Sequence, residues 1–483
     1  MRIITDDRYI RTYSYVVLHL TAALLFSLTM QSTAPAAEHY KLRFAIDPKT
    51  HSLSAGADLG IRNTEARAIT LVPVLLYRLM DVSAASDGAG NPLRFAQKVV
   101  KFPDEPTWQV NAVEVTLAKP LPPGQTTTVH LTYAGPLFGY PEVMQYVRDT
   151  ISEQYSLIRA ETMAYPIVAP ASIAGWRQSF KNKFDFEIET KVPAGFTAVC
   201  NGKDVGEAQT QEGTSTFRCI GDAGSAQISV AVAKFRVLDD PERNLRVYAL
   251  DADAEAGARV MDDMRRSLDF YRSYFGEMRR GGSLTLVEIP DGWGSYGVPG
   301  HIFQSAAAFK DRSRASELYH EVGHIWNARA SDDVQRARYF DEAFASYFEA
   351  LAVRQFEGPD AFRALMRSYR QTYLDRVARD ARGRTVPISG YGKEEIGVFS
   401  YTKGAWSLYV LHQLLGEDAF RRAISDFLTA YSDKPAGFDD FRHAVEKSSG
   451  HDVGPWFEQW ITGTNASAML IDGKSVEEMG GKR

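Results

Sequence analysis

His320-Glu-Val-Gly-His-Ile-Trp-Asn327, HEVGHIWN, places two histidines four residues apart with a glutamate directly after the first. The surrounding SELYHEVGHIWNARA carries helix formers and no proline, so the segment reads as a helix. On a helix, positions i and i+4 share one face about one turn apart, and two imidazoles so placed reach one metal ion. Zinc accepts nitrogen and oxygen ligands, and a catalytic zinc keeps three protein ligands and an open position for water. Glu321 points to the side of His320 and His324. There it can take a proton from the activated water and return it to a leaving amine. The bland alternative is an exposed polar face. With 10 histidines in the chain, a chance His-Glu-x-x-His is expected roughly 0.01 times, which favours the metal.

A third ligand has to come from elsewhere. YFDEAFASYFEAL, starting at Tyr339, is a second helical segment downstream. A helix, a turn and a returning helix would bring it back over the metal. Its acids Asp341, Glu342 and Glu349 are all candidates.

Around this motif the chain divides by periodicity. Between about 40 and 247 it is β. Val113, Val115 and Leu117 alternate with polar residues in VEVTL, as do Val129, Leu131 and Tyr133 in VHLTY, with KPLPPGQ between them. Period 2 and turn chemistry predict a hairpin here. Similar short runs recur in KLRFAI, SAGADLGIRN, FDFEIETKV and AQISVAVAKF. The reading is a β-sandwich-like domain over 37–247. From Asp251 the period lengthens: Val260, Met264, Leu268, Tyr271 and Phe275 mark an amphipathic helix. A strand, SLTLVEIP, a glycine-rich stretch, DGWGSYGVPGHIFQS, and a long helical region follow. This second domain is expected over 248–465, and 466–483 reads as a loose polar tail. His412 reads as a core residue, and His301 lies near enough to the motif to approach a cleft.

Composition is that of a globular chain of 483 residues, 45% hydrophobic and 24% charged, with net charge −5. There is no basic excess to suggest nucleic acid as a partner. Arg2, Arg8 and Arg11 precede an apolar run, Tyr15–Met30, and then Ala34-Pro35-Ala36. This is the order of a signal peptide. Residues 1–36 are expected to be removed, leaving a periplasmic or secreted chain without stable membrane association. The apolar run is shorter than the roughly 20 residues of a spanning helix; retained, it would be an anchor. The chain has two cysteines, Cys200 and Cys219, at the ends of a hairpin-like segment. In an oxidising compartment they are expected to pair.

HEVGHIWN followed by FDEAFASYFEAL resembles the aminopeptidase N family of gluzincin zinc peptidases. FSYTKGAWSLYVLHQLLGEDAFRRAI resembles that family's Tyr-x-Lys-Gly-Ala block and its long helix, and DVGPWFEQWITG resembles the last helix of the catalytic domain. The likeness is weaker in the β half, in YKLRFAIDPKTHSLSAGADLGIRN and KVPAGFTAVCNG. It implies an α+β, multidomain fold, with a thermolysin-like, mostly helical catalytic domain after the β-sandwich-like one. It implies Glu342 as the third ligand with His320 and His324, one Zn(2+) per chain, Glu321 as base, and a peptide substrate. By the same match Tyr401 is the tyrosine that hydrogen-bonds the developing oxyanion.

The chain departs from the family pattern in three ways. The spacing from His324 to Glu342 is one residue shorter. No counterpart of the family's large C-terminal helical domain is read in the sequence. The Gly-Ala-Met-Glu-Asn motif, whose acid holds the substrate's α-amine, is replaced by GWGSYGVPGHIF, which has no acid. A buried ammonium without a carboxylate is costly, so altered N-terminal recognition is expected. Gly294, Ser295, Tyr296 and Gly297 read as bare backbone on which an extended peptide can pair. In LIRAETMAYP, beside Arg159, Glu161 is a candidate substitute anchor; the alternative is a plain surface charge. An endopeptidase or other amide hydrolase is a second reading, and a non-catalytic zinc-containing binding module a third. The presence of Glu321 and Tyr401 speaks against a pure scaffold.

Overall fold

The computed structural model describes residues 35–144, 147–206, 208–277, 283–298 and 300–480. The segment expected to be a signal peptide lies almost wholly outside them. The N-terminal half is built of sheets. Ala36–Asp47 pairs antiparallel with Ser52–Arg62 and parallel with Phe184–Pro193, at the centre of an eight-stranded sheet. Its alternation sets its faces: Tyr40, Leu42, Phe44 and Ile46 are buried, Lys41 and Arg43 exposed. A four-stranded sheet, ordered Arg94–Phe102, Glu105–Leu121, Ile69–Tyr77 and Ile167–Val168, closes over it. Val74, Val113, Val115, Val129, Leu131 and Tyr133 meet in the core between them.

The expected VEVTL–VHLTY hairpin is not formed. Glu105–Leu121 pairs with Ile69–Tyr77 and Arg94–Phe102 in one sheet. Thr126–Pro136 pairs with Ser52–Arg62 and Asp81–Asp87 in the other. Alternation fixes which side chains face the core, and both strands face the same core from opposite sides. It does not choose the partner strand, and the proline-rich link carries the chain from sheet to sheet.

A small third sheet, Thr197–Cys200, Ser229–Ala233 and Ser156–Arg159, is almost entirely buried. Cys200 and Cys219 are bonded, with Cα atoms 6.5 Å apart. The bond ties this small sheet to the eight-stranded one, where Cys219 lies in Thr214–Ser225. Leu157, Val199 and Ala231 of the small sheet pack with Tyr248, Val287, Ile289, Trp293 and Phe303 in a separate apolar cluster. That cluster is the joint to the second half.

The second half begins with a five-stranded sheet: Phe235–Asp240, Leu245–Leu250, Leu284–Ile289, His301–Ser305 and, at the edge, Tyr296–Val298. The division expected at 247/248 therefore runs through a strand. The change of period at Asp251 marks a helix, whereas the strands before it pair with those after it. The helix Ala254–Phe275 connects the parallel strands Leu245–Leu250 and Leu284–Ile289, as such a pair requires. Its buried stripe includes Val260, Met264, Leu268, Tyr271 and Phe275. The remaining helices enclose a large core rich in aromatic rings, among them Tyr339, Phe340, Phe344, Phe348, Phe427 and Phe441. Thus the fold has an N-terminal β part and a mostly helical C-terminal part. No helix among the described residues is long and apolar enough to cross a membrane.

The loose tail expected from 466 is contradicted. Asn465–Asp472 and Val476–Gly480 are helices that bury Ala466, Leu470 and Met479. Arg370 Nε donates to Leu470 O at 2.6 Å, and Gln459 Nε2 to Met479 O at 2.7 Å. Met469, Ile471 and Val476 pack against the same core, partly buried. Leu470→Ala should lower the unfolding free energy by about 3 kcal/mol through the cavity it leaves. Urea denaturation followed by helical signal checks this, and an unchanged midpoint would mean the segment is not packed.

Candidate metal centre

The helix Ala315–Gly323 is anchored by buried Leu318, Tyr319 and Val322, and Tyr271 Oη donates to Tyr319 O at 2.9 Å. With that face committed to the core, His320, Glu321 and His324 lie on the remaining faces. His324 opens a short 3₁₀ turn, His324–Trp326. Glu342 lies in a π-helical turn, Tyr339–Ala343, and is buried. The turn starts at Arg338, whose φ of 57° is left-handed. The amides of Glu342 and Ala343 both donate to Arg338 O, at 3.0 and 3.3 Å. Wide turns and left-handed non-glycine residues concentrate at functional sites. Here the pair rotates Glu342 out of its helix toward the histidines.

His320 Nε2 lies 3.1 Å and His324 Nε2 3.6 Å from Glu342 Oε2. One ligand atom from each of these three residues lies within 4.8 Å of the other two. Donors about 2.1 Å from a tetrahedral zinc stand roughly 3.4 Å apart, so this donor set fits the ion. The other two candidate acids are placed differently. Glu349 Oε2 is 3.3 Å from His320 Nδ1, and Asp341 Oδ1 is 3.0 Å from His324 Nδ1. Each ring thus has a carboxylate behind it, which fixes its tautomer and turns Nε2 toward Glu342. Tyr369 Oη donates to Glu349 Oε2 at 2.6 Å, and Asn327 Nδ2 to Asp341 Oδ1 at 3.0 Å.

Arg338 donates to both acids of its own turn: to Asp341 Oδ2 at 2.8 Å and to Glu342 Oε1. Glu342 Oε2 is left for the imidazoles. Burial opposes ionisation of Glu342, but His320 and Arg338 hold it below its ordinary value. Burial likewise disfavours charge on His320, yet Glu342 and Glu349 raise it well above the usual imidazole range. Burial pushes the Glu321 carboxyl up against the pull of both imidazoles. A Cβ on Gly297 would stand 2.7 Å from Glu321 Oε2. The edge strand therefore passes over this carboxylate, and a side chain at 297 would push the carboxylate aside.

Tyr401 lies in a second π-helical turn, Ser400–Gly404. Its ring is parallel to that of His320, with centroids 6.1 Å apart. Burial and the Glu342 carboxylate raise its phenol, so it keeps its proton and can donate. The two π turns touch: a Cβ on Gly404 would meet Ala343 Cβ at 2.4 Å. Ser400 Oγ donates to Ala337 O at 2.6 Å.

The other candidate residues have mixed placements. Gly294 is left-handed, with φ 69°. Ser295 Oγ accepts from Ser305 N at 3.0 Å and so pins the loop. The Tyr296 ring stacks on Phe303, and its hydroxyl donates to Ser229 Oγ at 3.2 Å. Arg159 is buried against Asp149 at 2.6 Å and lies under the Tyr296 ring; Glu161 Oε2 is 3.9 Å from its Nε. The geometry brings Glu161 to the edge strand through Arg159 and Tyr296. His301 is buried in its strand and outside the metal cluster. His412 is a core residue, stacked on Phe420 and bonded to Tyr347 Oη at 2.7 Å. Arg338 was not singled out by the sequence reading. The signal was an arginine four residues before Glu342 on one helix face, a pair that helices favour.

Residues 302–460 match the peptidase family M1 domain. Probable aminopeptidase 2 of Sulfurisphaera tokodaii is 25% identical over 341 residues, covering 65% of this chain and 41% of that protein. Leucyl aminopeptidase of Saccharolobus solfataricus is 23% identical over 352 residues, 68% of this chain and 43% of its own length. The chain thus spans only 41% and 43% of these curated relatives. Among solved structures, an M1 zinc metallopeptidase mutant from Deinococcus radiodurans, bound to a Tyr-Ser-Ala substrate, shares the fold. Its TM-score is 0.58 at 18% identity, over 89% of this chain and 94% of that one.

Glu349→Gln keeps the size of the side chain but takes the charge from behind His320. Zinc affinity should fall about 10–100-fold, read by competition with a chelating dye. Unchanged affinity would remove Glu349 from the support of the site.

Proposed function

We propose that this chain, an aminopeptidase N-like member of peptidase family M1, hydrolyses peptide bonds with one zinc ion held by His320, His324 and Glu342. The observation that carries this reading is the convergence of those three donors, with Glu321 directly after His320 in the chain and the Tyr401 ring parallel to that of His320. When bound, zinc lowers the pKa of a coordinated water to about 7 and polarises the scissile carbonyl. Glu321 takes the proton from the attacking water and delivers it to the departing amine. Tyr401 donates its hydroxyl to the carbonyl oxygen as negative charge develops there. The substrate backbone runs along Tyr296–Val298, the last strand of its sheet, and pairs with it. The absence of a side chain at Gly297 leaves the Glu321 carboxylate room at that edge.

Recognition of a free N-terminus is weakened. Gly297 cannot supply a carboxylate for an α-amine, and Glu161, which faces Arg159 beneath Tyr296, is the candidate substitute. Tyr401→Phe keeps the ring and loses one donor that matters as charge develops. Zinc content should stay near normal, while kcat and kcat/KM fall together by roughly 10²–10³-fold. Blocking the substrate's amine should lower cleavage only modestly. Near-normal kcat in Tyr401→Phe would overturn the role of this tyrosine. Complete loss on blocking would show that an acid does hold the amine.

Export completes the proposal. The order of basic, apolar and small residues before Ala37 supports it, as does the cysteine pair. The intact mass of protein recovered outside the cytoplasm should begin near Ala37 and lack two hydrogens; full-length cytosolic protein would refute it.

A further inference from the structure

Two arginines approach the face of Tyr401. The Arg338 guanidinium is 5.8 Å from the ring centroid and that of Arg376 5.9 Å. They differ in what else they touch. Arg338 is paired with two carboxylates, Asp341 and Glu342. Arg376, near the end of the helix Pro359–Arg379, spends one donor on Val398 O at 2.7 Å. No carboxylate pairs with it among the described residues. Burial lowers its hold on its proton, the Tyr401 phenol opposes this, and Arg379 adds a like charge. A half-buried guanidinium fork with free donors and no acid is costly to keep. It is also shaped for a carboxylate, which it can bind bidentately.

We infer that Arg376 is a specificity-determining residue that takes the C-terminal carboxylate of a short peptide while its scissile carbonyl meets Tyr401. The inference rests on the metallopeptidase reading of this site. The reach is consistent: one residue spans at most about 3.6 Å of extended chain, so two residues span about 7 Å, on the scale of the 5.9 Å between the Tyr401 ring centroid and the Arg376 guanidinium. The other end of the substrate supplies the second half of the case. Gly297 offers no acid to an α-amine, so a short peptide held by backbone pairing alone lacks a charged anchor. Arg376 provides one at the opposite terminus.

Binding to the zinc-loaded Glu321→Gln protein tests this without turnover. Calorimetry compares a tripeptide with its C-terminal amide. The free acid should bind about tenfold more tightly. Arg376→Gln should bring that ratio close to one, and Arg376→Lys should restore part of it. In the protein with Glu321 intact, the same pair should differ mainly in KM. Equal binding of acid and amide overturns the inference, as does a ratio that survives in Arg376→Gln. If Arg376→Gln weakens both peptides alike, the arginine acts only by packing on Tyr401. If an aspartate or glutamate side chain, rather than the terminus, carries the preference, the anchor is misassigned. Failure of the protein with Glu321 intact to cleave either peptide, with the binding ratio preserved, would sink the hydrolytic reading and leave this one standing.

Discussion

Four carboxylates, Glu321, Asp341, Glu342 and Glu349, are gathered around two imidazoles and one guanidinium. Like charges brought together at low dielectric repel and resist ionisation. Arg338 compensates one of them. The rest of the balance must come from positive charge held between the rings, either as protons on His320 and His324 or as a divalent cation in their place. This is why the metal motif requires so much structure around it. The helix must be pinned by Leu318, Tyr319 and Val322, the returning segment must widen into a π turn, and Arg338 must accept a left-handed backbone. Each of these brings one charged group to its partner.

The β half contributes to the site through a narrow connection. The small sheet ending at Arg159 packs against the strands that lead to Tyr296, and Arg159 is held by Asp149 in the interior. The strand beside Glu321 is thus backed by side chains that come from the β half. This gives a physical reason for the two halves to share an apolar joint. That edge strand is set from one side by the helices that carry His320, His324 and Glu342 and from the other by the β half.

Much of the site was legible because the metal motif is local: a four-residue period and one flanking acid are properties of a single helix. The roles of Asp341 and Glu349 were not legible. Both were alternatives to Glu342 as ligand, and which acid faces Nε2 and which faces Nδ1 depends on how each ring is turned, which no spacing encodes. Arg376 left no local signal, since the role inferred for it comes from the lack of a paired acid among the described residues. In the β half, alternation picked out the core-facing residues of VEVTL and VHLTY, Leu117 being only half-buried, but could not tell two facing strands from two neighbouring ones. At the C-terminus, average polarity masked the apolar side chains, among them Ala466, Leu470 and Met479, that pack against the core.

Gly404 is not among the three donors that converge at the metal cluster. Its missing Cβ lets the turn carrying Tyr401 rest directly on Ala343, next to Glu342. The glycine thus works as a spacer gauge between an acid on one turn and a phenol on the other. A methyl group there would wedge the two turns apart and shift the tyrosine relative to the metal ligands, leaving every reactive group intact in the sequence. In a chain of this kind, loss of activity can therefore be written at a position that an inventory of catalytic side chains would pass over.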